Sequence, residues 1–523
     1  MRNKWIVFNK IVIYGCSLLF LLFLSINSFL YTSDGYEVNM SSPRRLAEDF
    51  LGCFIFFGLC WLFSCLAERL SKKVRFLGIV LAFLTAMLFS AWWIINSANL
   101  PQSDAKSIYD IAYRAKNHDL LPIAPTGSYM SLWPFQAGLV LFFEVIFRLI
   151  PVADEMTIQW FYMPFMALSL VSGYMIVRKK FSTLRTRVFW CLLMLFCFPY
   201  YLYINNMYGE IPSIALCLFT LWMLLEYSAK PSWMNLLFAG LGLATAIALR
   251  KNTLIFVIAC FLVWGGYTSR RQLRYLGLLL VLIAATVAGI MLPRKFYEYR
   301  AKNTMGEGVP AIAYIAMGMQ WEEGRSPGGW NGYHSDLFME CSYDTELTAQ
   351  ISAEAVKDSL EYMIKHPDYM VKFYYYKLTE QWEREDFQCL YETLDFSGER
   401  TSAAWDIYQG ETKDRLLSVM SVHQSLVYIG ACYFCIIGAV RWRKRRKNEK
   451  RDVDCRQNEY LILLVTFIGG FLFSMLWEAS ARYAMPYFVM LIPYAADGLA
   501  DVSYRIEALV RHGAQSEGMS GGK

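Results

Sequence analysis

Trp133-Pro-Phe-Gln-Ala-Gly-Leu-Val-Leu-Phe-Phe-Glu-Val-Ile-Phe-Arg-Leu-Ile150 is the stretch on which the fold turns. It is apolar enough to read as a membrane span, and whether it crosses decides the side of every later loop. Hydropathy windows of about 20 residues place spans near 8–31, 49–68, 76–98, 156–178, 187–204, 208–226, 233–249, 252–267, 273–292, 417–440, 459–476 and 485–504. Lys and Arg gather at Arg69–Arg75, Arg178–Arg187, Arg270–Arg274 and Arg441–Arg456. Such clusters belong on the cytoplasmic side. All four face it together if 133–150 stays out of the count, whereas a crossing at 133–150 would turn three of them outward. The stretch is therefore expected to lie as an interfacial helix on the outer face, with both termini cytoplasmic.

The rest of the composition agrees with a membrane protein. The chain is 56% hydrophobic, 16% aromatic and 18% charged, with a mean hydropathy of +0.31, while soluble domains carry about 25% charged residues. The fold class read from this is all-α and integral to the membrane, with about twelve transmembrane helices, an outer interfacial helix and a small extracytoplasmic domain. The first span has a basic flank (Arg2, Lys4, Lys10) and a long apolar run without a small-residue cleavage site, so it reads as a retained anchor. A net charge of +6 sits mainly in the inner loops, which fits topology and headgroup contact and excludes nucleic acid as a partner. Thirteen cysteines lie mostly inside spans, only Cys341 and Cys389 fall in the outer segment, and five scattered histidines give no zinc pattern.

The chain divides into a two-span hairpin at 1–75, a membrane core at 76–292 with an outer loop at 99–155, an outer domain at 293–416, closing spans at 417–505 and a cytoplasmic tail at 506–523. Within the outer domain a Gly-rich run (Gly306 onward) and the Trp321–Tyr333 segment precede two helices, Glu346–Lys365 and Asp368–Asp386, interrupted by His366-Pro367.

On this topology several charges share the outer face: Asp104, Glu210, Arg250 with Lys251, and Glu478 with Arg482. A charge near hydrocarbon costs about 2.5–3.5 kcal/mol on insertion scales, so their common side calls for a reason. A basic pair on the outer side, where topology disfavours it, suits a lipid phosphate, because guanidinium binds phosphate oxygens in pairs and stabilises charge on a departing phosphate. Asp104 would then take the proton of an attacking hydroxyl.

These residues resemble the GT-C superfamily of polytopic glycosyltransferases, and especially the bacterial, family-39-like relatives of protein O-mannosyltransferases. The resemblance rests on Asp104 in the first large outer loop with Tyr109, Ala112 and Tyr113 after it, on Tyr129-Met-Ser-Leu-Trp-Pro-Phe-Gln-Ala-Gly-Leu as the outer helix, on Glu210 in Asn-Met-Tyr-Gly-Glu, and on Arg482 in Glu-Ala-Ser-Ala-Arg-Tyr. It covers most of 76–505; the first two spans look like an added hairpin, and Asp110 departs from the expected acid pair. The resemblance implies a GT-C-like bundle and transfer, with inversion, of a sugar from a polyprenyl-phosphate donor to a hydroxyl of a cell-envelope acceptor, whether polymer, lipid or protein. Asp104 and Glu210 would be its catalytic residues and Arg250, Lys251, Arg482 and Tyr109 its substrate contacts. No cofactor is expected, a divalent cation being the one alternative left open, and membrane lipids complete the partners.

Plainer readings stand beside these. Asp104 could cap the following helix, Glu210 could answer a helix dipole, Arg250-Lys251 could snorkel to headgroups, and Arg482 could pair with Glu478 at i, i+4, as Glu144 could with Arg148. A lipid-linked-sugar flippase would place charges at mid-membrane and repeat its halves, neither of which is visible. A non-catalytic scaffold would not need carboxylates and cations on one rim, and an enzyme using diphosphate-linked donors would want the same cationic site.

Overall fold

A computed structural model describes residues 2–33, 38–121, 123, 126–181, 183–265, 273–396, 398–448 and 455–520. The side chains of Arg270–Arg274, those from 444 onward in Arg441–Arg456, and those of Arg2 and Lys4 lie outside the described residues.

The chain is almost wholly helical. It opens with α1 (Arg2–Leu30), a small antiparallel hairpin of β1 (Tyr31–Ser33) and β2 (Val38–Met40), α2 (Pro43–Arg69), α3 (Lys72–Ser97) and α4 (Ser103–Lys116). The outer loop holds α5 (Tyr129–Leu132) and α6 (Ala137–Leu149). The core continues with α7 (Glu155–Lys180), α8 (Leu184–Leu195), α9 (Phe198–Leu202), α10 (Glu210–Ala229), α11 (Trp233–Leu249), α12 (Thr253–Trp264) and α13 (Leu273–Ala301). The outer domain carries α14 (Ala311–Gly318), α15 (Tyr333–Glu340), α16 (Thr345–Lys365), α17 (Pro367–Trp382) and α18 (Ser402–Gln409) before α19 (Glu411–Asn448), α20 (Ile462–Leu476) and α21 (Met485–Ser520).

Local chemistry sets these boundaries. Ser42 caps α2 by accepting from Arg45 N–H, with Pro43 at its first position. Asp154 and Thr157 form a reciprocal capping box on α7. Pro199 cannot continue α8, so the expected span 187–204 is two pieces bent by 50°.

Among the described residues, eight helices are long and apolar enough to cross a membrane, or nine with the bent pair counted once; α11 and α12 are shorter apolar helices. A helix lies at each expected span, but α12, 12 residues long, rises only about 18 Å, below the roughly 30 Å of a bilayer core. Most of α10 is buried, packed between α7 and α11. α19 lies along α1 and α21, so the added N-terminal spans are built into the bundle.

α6 has 13 residues, about 20 Å, too few to span. It packs against α4, α11 and α13, and its Glu144 is fully buried. That carboxylate meets Arg148 and Arg300 at 2.7 Å each and accepts from the Tyr297 hydroxyl at 2.7 Å. The i, i+4 clasp is thus one arm of a four-residue knot that fastens the outer helix to α13.

At the far end of the bundle several of the described basic residues are tied down. Arg185 bridges Glu68 and Glu507 at 2.8 Å each, Lys180 meets Glu459 at 2.6 Å, and Arg441 pairs with Asp501. The outer domain has a small core of its own, Met319, Met363 and Phe373. The second helix expected there stops four residues early, at Trp382. Cys341 and Cys389 are both buried and unbonded.

Candidate functional site

The acid-bearing stretch Gln102-Ser103-Asp104 enters α4 through an uncommon backbone conformation, with Ser103 at φ +49°. Such a geometry costs about 1–3 kcal/mol and persists only where surroundings enforce it. Asp104 sits in the first turn of α4 and does not cap it. Its Oδ2 accepts instead from the Tyr208 hydroxyl at 2.9 Å, and Tyr208 in turn accepts from Gln136 Nε2. Burial, with the charge of Asp104 beside it, holds the Tyr208 hydroxyl well above its ordinary pKa, so it stays a donor.

Tyr208 also organises the cations. The Arg250 guanidinium lies 4.7 Å from its ring centroid and that of Arg482 5.3 Å. Tyr483 offers both a second ring, at 5.9 Å and 5.2 Å. Each arginine is steadied by a carboxylate: Arg250 Nη2 meets Glu210 Oε1 at 2.7 Å, and Arg482 Nη1 meets Glu392 at 3.3 Å. The Arg482 Nε–H is buried and has no hydrogen-bond partner.

The backbone explains how these groups meet. Gly209, at φ +91°, turns the chain into α10 so that Glu210 opens the helix. A Cβ at Gly209 would lie 3.2 Å from the Leu249 carbonyl and 3.4 Å from Arg250 Cγ. This turn therefore touches the break between α11 and α12, where Arg250 sits.

Of the sequence-predicted residues, the structure brings Asp104, Glu210, Arg250 and Arg482 together and leaves two out. Tyr109 packs edge-on against Phe147 at 5.2 Å, on the side of α4 away from Asp104's partners. Lys251 leans over Phe135 at 5.3 Å, near Arg294 and Glu307. Arg482 and Glu478 form no i, i+4 clasp, because residues 477–480 are irregular and only a short 3-10 turn follows. Glu478 accepts from the Tyr483 hydroxyl at 3.3 Å instead, and burial lifts its pKa while Arg482 draws it back.

Sequence reasoning missed Tyr208, Tyr483, Glu392, Gln136, Tyr314 and His334. Tyr208, Gln136 and Tyr483 lay within the motifs already singled out around Glu210, the outer helix and Arg482, whereas Glu392, Tyr314 and His334 carried no such signal.

A narrow cavity of about 30 Å³ runs from the Glu210–Arg250 pair between the ends of α10, α12 and α21, lined by Ile214, Phe256, Pro486, Tyr487 and Met490 among others. Among the described residues no group of three or more His, Cys, Asp or Glu side chains is placed to hold a metal ion. Chemically the arrangement offers a half-buried carboxylate that can take a proton, beside two guanidinium groups that can hold an anionic oxygen.

Comparison with known families points to the glycosyltransferase class of membrane enzyme. Residues 138–290 match the family model described as dolichyl-phosphate-mannose-protein mannosyltransferase. The match runs from α6 to α13, holds Glu210 and Arg250, and supports a GT-C glycosyltransferase that uses a lipid-linked sugar. No curated protein and no solved structure matches the chain.

Proposed function

We propose that the protein moves a sugar from a polyprenyl-phosphate donor to a hydroxyl of a cell-envelope acceptor, with inversion, on the extracytoplasmic face of the cell membrane. The observation that carries this reading is Tyr208, whose hydroxyl donates to Asp104 while its ring bears both Arg250 and Arg482. Tyr208 thus links a carboxylate suited to act as base, at its hydroxyl, with two cations suited to hold an anion, over its ring.

In the reaction, the acceptor oxygen attacks the anomeric carbon and the bond from that carbon to the phosphate oxygen breaks. The electron pair leaves with polyprenyl phosphate, and the acceptor proton passes to the Asp104 carboxylate. The leaving phosphate gains one negative charge, which Arg250 and the unpartnered Nε–H of Arg482 are placed to stabilise. Glu210 serves as a positioning residue, since its carboxylate is engaged by Arg250. Lys251 and Tyr109 have no part in this scheme.

The basic residues knotted at the opposite end support a cytoplasmic location for that end and for both termini. The apolar lining beside Arg250 suits entry of a lipid chain from the bilayer.

The test is transfer by purified protein from radiolabelled undecaprenyl-phosphate hexoses to an envelope extract, comparing wild type with Asp104→Asn. Label reaching the acceptor with wild type, and falling by about 10²–10⁴ in the variant, is the expected result. Equal transfer by both removes Asp104 as the base, and no transfer by either rejects the reaction.

A further inference from the structure

The narrow cavity beside the Glu210–Arg250 pair enters the scheme above only through Arg250 and its apolar wall. Three helices begin on it: Glu210 and Ser213 lie in the first turn of α10, Thr253 and Phe256 in that of α12, and Pro486 and Tyr487 in that of α21. The positive ends of their dipoles converge on one small space, a setting that favours negative charge. The carboxylate on its wall, Glu210, is already answered by Arg250 at 2.7 Å. At about 30 Å³ the cavity has room for one or two groups the size of a water molecule or a phosphate oxygen.

Most hydroxyls facing this space are committed. Ser213 donates to the Glu210 carbonyl at 2.9 Å, Thr253 to the Ala246 carbonyl at 3.2 Å, Thr466 to the Ile462 carbonyl at 2.9 Å and Tyr483 to Glu478 at 3.3 Å. Tyr487 is the exception. It is 3% exposed, and its Oη is buried with no hydrogen-bond partner. The ring is seated against Gly470 of α20, where a Cβ would collide with it. A buried donor without an acceptor is uncommon and asks for an explanation. An anionic phosphate oxygen is the acceptor that such a donor, beside a guanidinium, is suited to meet.

We propose that Tyr487 donates its hydroxyl hydrogen to an oxygen of the donor's phosphate, received in the cavity between Arg250 and the first turns of α10, α12 and α21. This rests on the proposed transfer reaction and adds an uncharged contact to its two arginines. As the sugar bond breaks, the phosphate gains a second negative charge and the hydrogen bond strengthens, so Tyr487 favours the departing lipid over the intact donor.

The experiment measures binding of radiolabelled undecaprenyl phosphate, the lipid that the proposed transfer releases, to purified protein in detergent. Undecaprenol supplies the same chain without phosphate. Wild type is compared with Tyr487→Phe, which keeps the ring on Gly470 and removes only the hydroxyl, and thermal unfolding without lipid is the structural readout. Tyr487→Phe should bind undecaprenyl phosphate about tenfold more weakly or worse and bind undecaprenol as wild type does. It should unfold at a temperature no lower, since the hydroxyl it loses has no protein partner.

Equal affinity of both proteins for undecaprenyl phosphate overturns the proposal and leaves water as what Tyr487 meets. So does an equal loss for undecaprenol, which marks a contact with the chain, or a lowered unfolding temperature without lipid, which marks a structural role. A wild type that binds undecaprenyl phosphate no better than undecaprenol is seen before any variant is made and rejects the transfer reaction itself.

Discussion

Arg250 offers the cleanest separation of a functional from a structural role, because its partner Glu210 is buried and can be removed with it. Their 2.7 Å contact sets the charge centres about 4 Å apart, worth about 4 kcal/mol at an effective dielectric near 20. Desolvation offsets most of that, yet removing one partner strands the other and costs about 3–5 kcal/mol. Arg250→Gln should therefore lower stability by that amount, since Glu210 is only 1% exposed. The double variant Arg250→Gln/Glu210→Gln should regain most of it, because two neutral amides replace a stranded charge. Donor use should behave otherwise. Losing charge-assisted contacts worth about 1.5–3 kcal/mol lowers kcat/KM about 10- to 100-fold, and the double variant should stay equally impaired. Glu210→Gln alone should keep donor binding while losing stability. Denaturation in detergent and transfer kinetics with varied donor complete the cycle. If the double variant regains wild-type kcat/KM for donor, Arg250 does not hold the phosphate and the reasoning fails.

Gly209→Ala should lower stability by about 1–3 kcal/mol and depress transfer as well, because the added methyl presses on Leu249 and Arg250; Gly78→Ala, whose Cβ meets nothing within 4 Å, is the silent control. Burial holds the His334 imidazole down to about 4 from an ordinary 6.5, against the upward pull of Asp104 and Asp336. The unfolded chain then takes up a proton between pH 6.5 and 4 that the folded chain refuses, so stability present above pH 6.5 is lost through that window, by up to about 3 kcal/mol. Denaturation measured across this range should show a shallower pH slope in His334→Asn than in wild type, and equal slopes would contradict the assignment. Glu144→Leu strands Arg300 inside the knot on α6 and should cost about 3 kcal/mol; limited proteolysis should then cut first within 103–150, and an unchanged pattern would show that the knot does not secure the outer helix.

What the sequence made legible follows from topology, and what it hid follows from directions in space. Asp104, Glu210, Arg250 and Arg482 are charges at ends of apolar segments, and the positive-inside rule alone put them on one side. Tyr109 enters through the resemblance, as the tyrosine that follows Asp104 in the first large loop, but five residues along an α-helix turn about 140° away, which aims it at Phe147. Arg250 and Lys251 read as a pair, yet at a helix break neighbouring residues diverge, one toward Tyr208 and the other toward Phe135. The i, i+4 rule joined Glu478 to Arg482, but the rule holds on a helix and this loop is not one. Glu392, Tyr314 and His334 had no local signal, since only the docking of the outer domain brings them to Asp104 and Arg482.

That docking bears on why the added N-terminal hairpin and the outer domain belong to the same machine. Glu385, just past α17, is buried and accepts from the Thr32 hydroxyl and the Ser33 N–H at 2.8 Å each, so β1 is bolted to the end of that helix. From α17, Lys377 reaches the last turn of α20, and Gly328 holds Ala479 in the loop that carries Glu478 and Arg482. Seven residues beyond Glu385, Glu392 meets Arg482 itself. A Cβ at Gly328, at φ +69°, would sit 2.5 Å from the Gly318 carbonyl and 2.9 Å from Lys377 Nζ, so this junction tolerates nothing larger than glycine. Arg250 is thus fixed from within the membrane bundle, by Glu210 on α10, and Arg482 from outside it, by Glu392. An anion bridging the two guanidinium groups would contact both halves of the protein at once, and under the proposed reaction the 293–416 segment would then share in holding the donor.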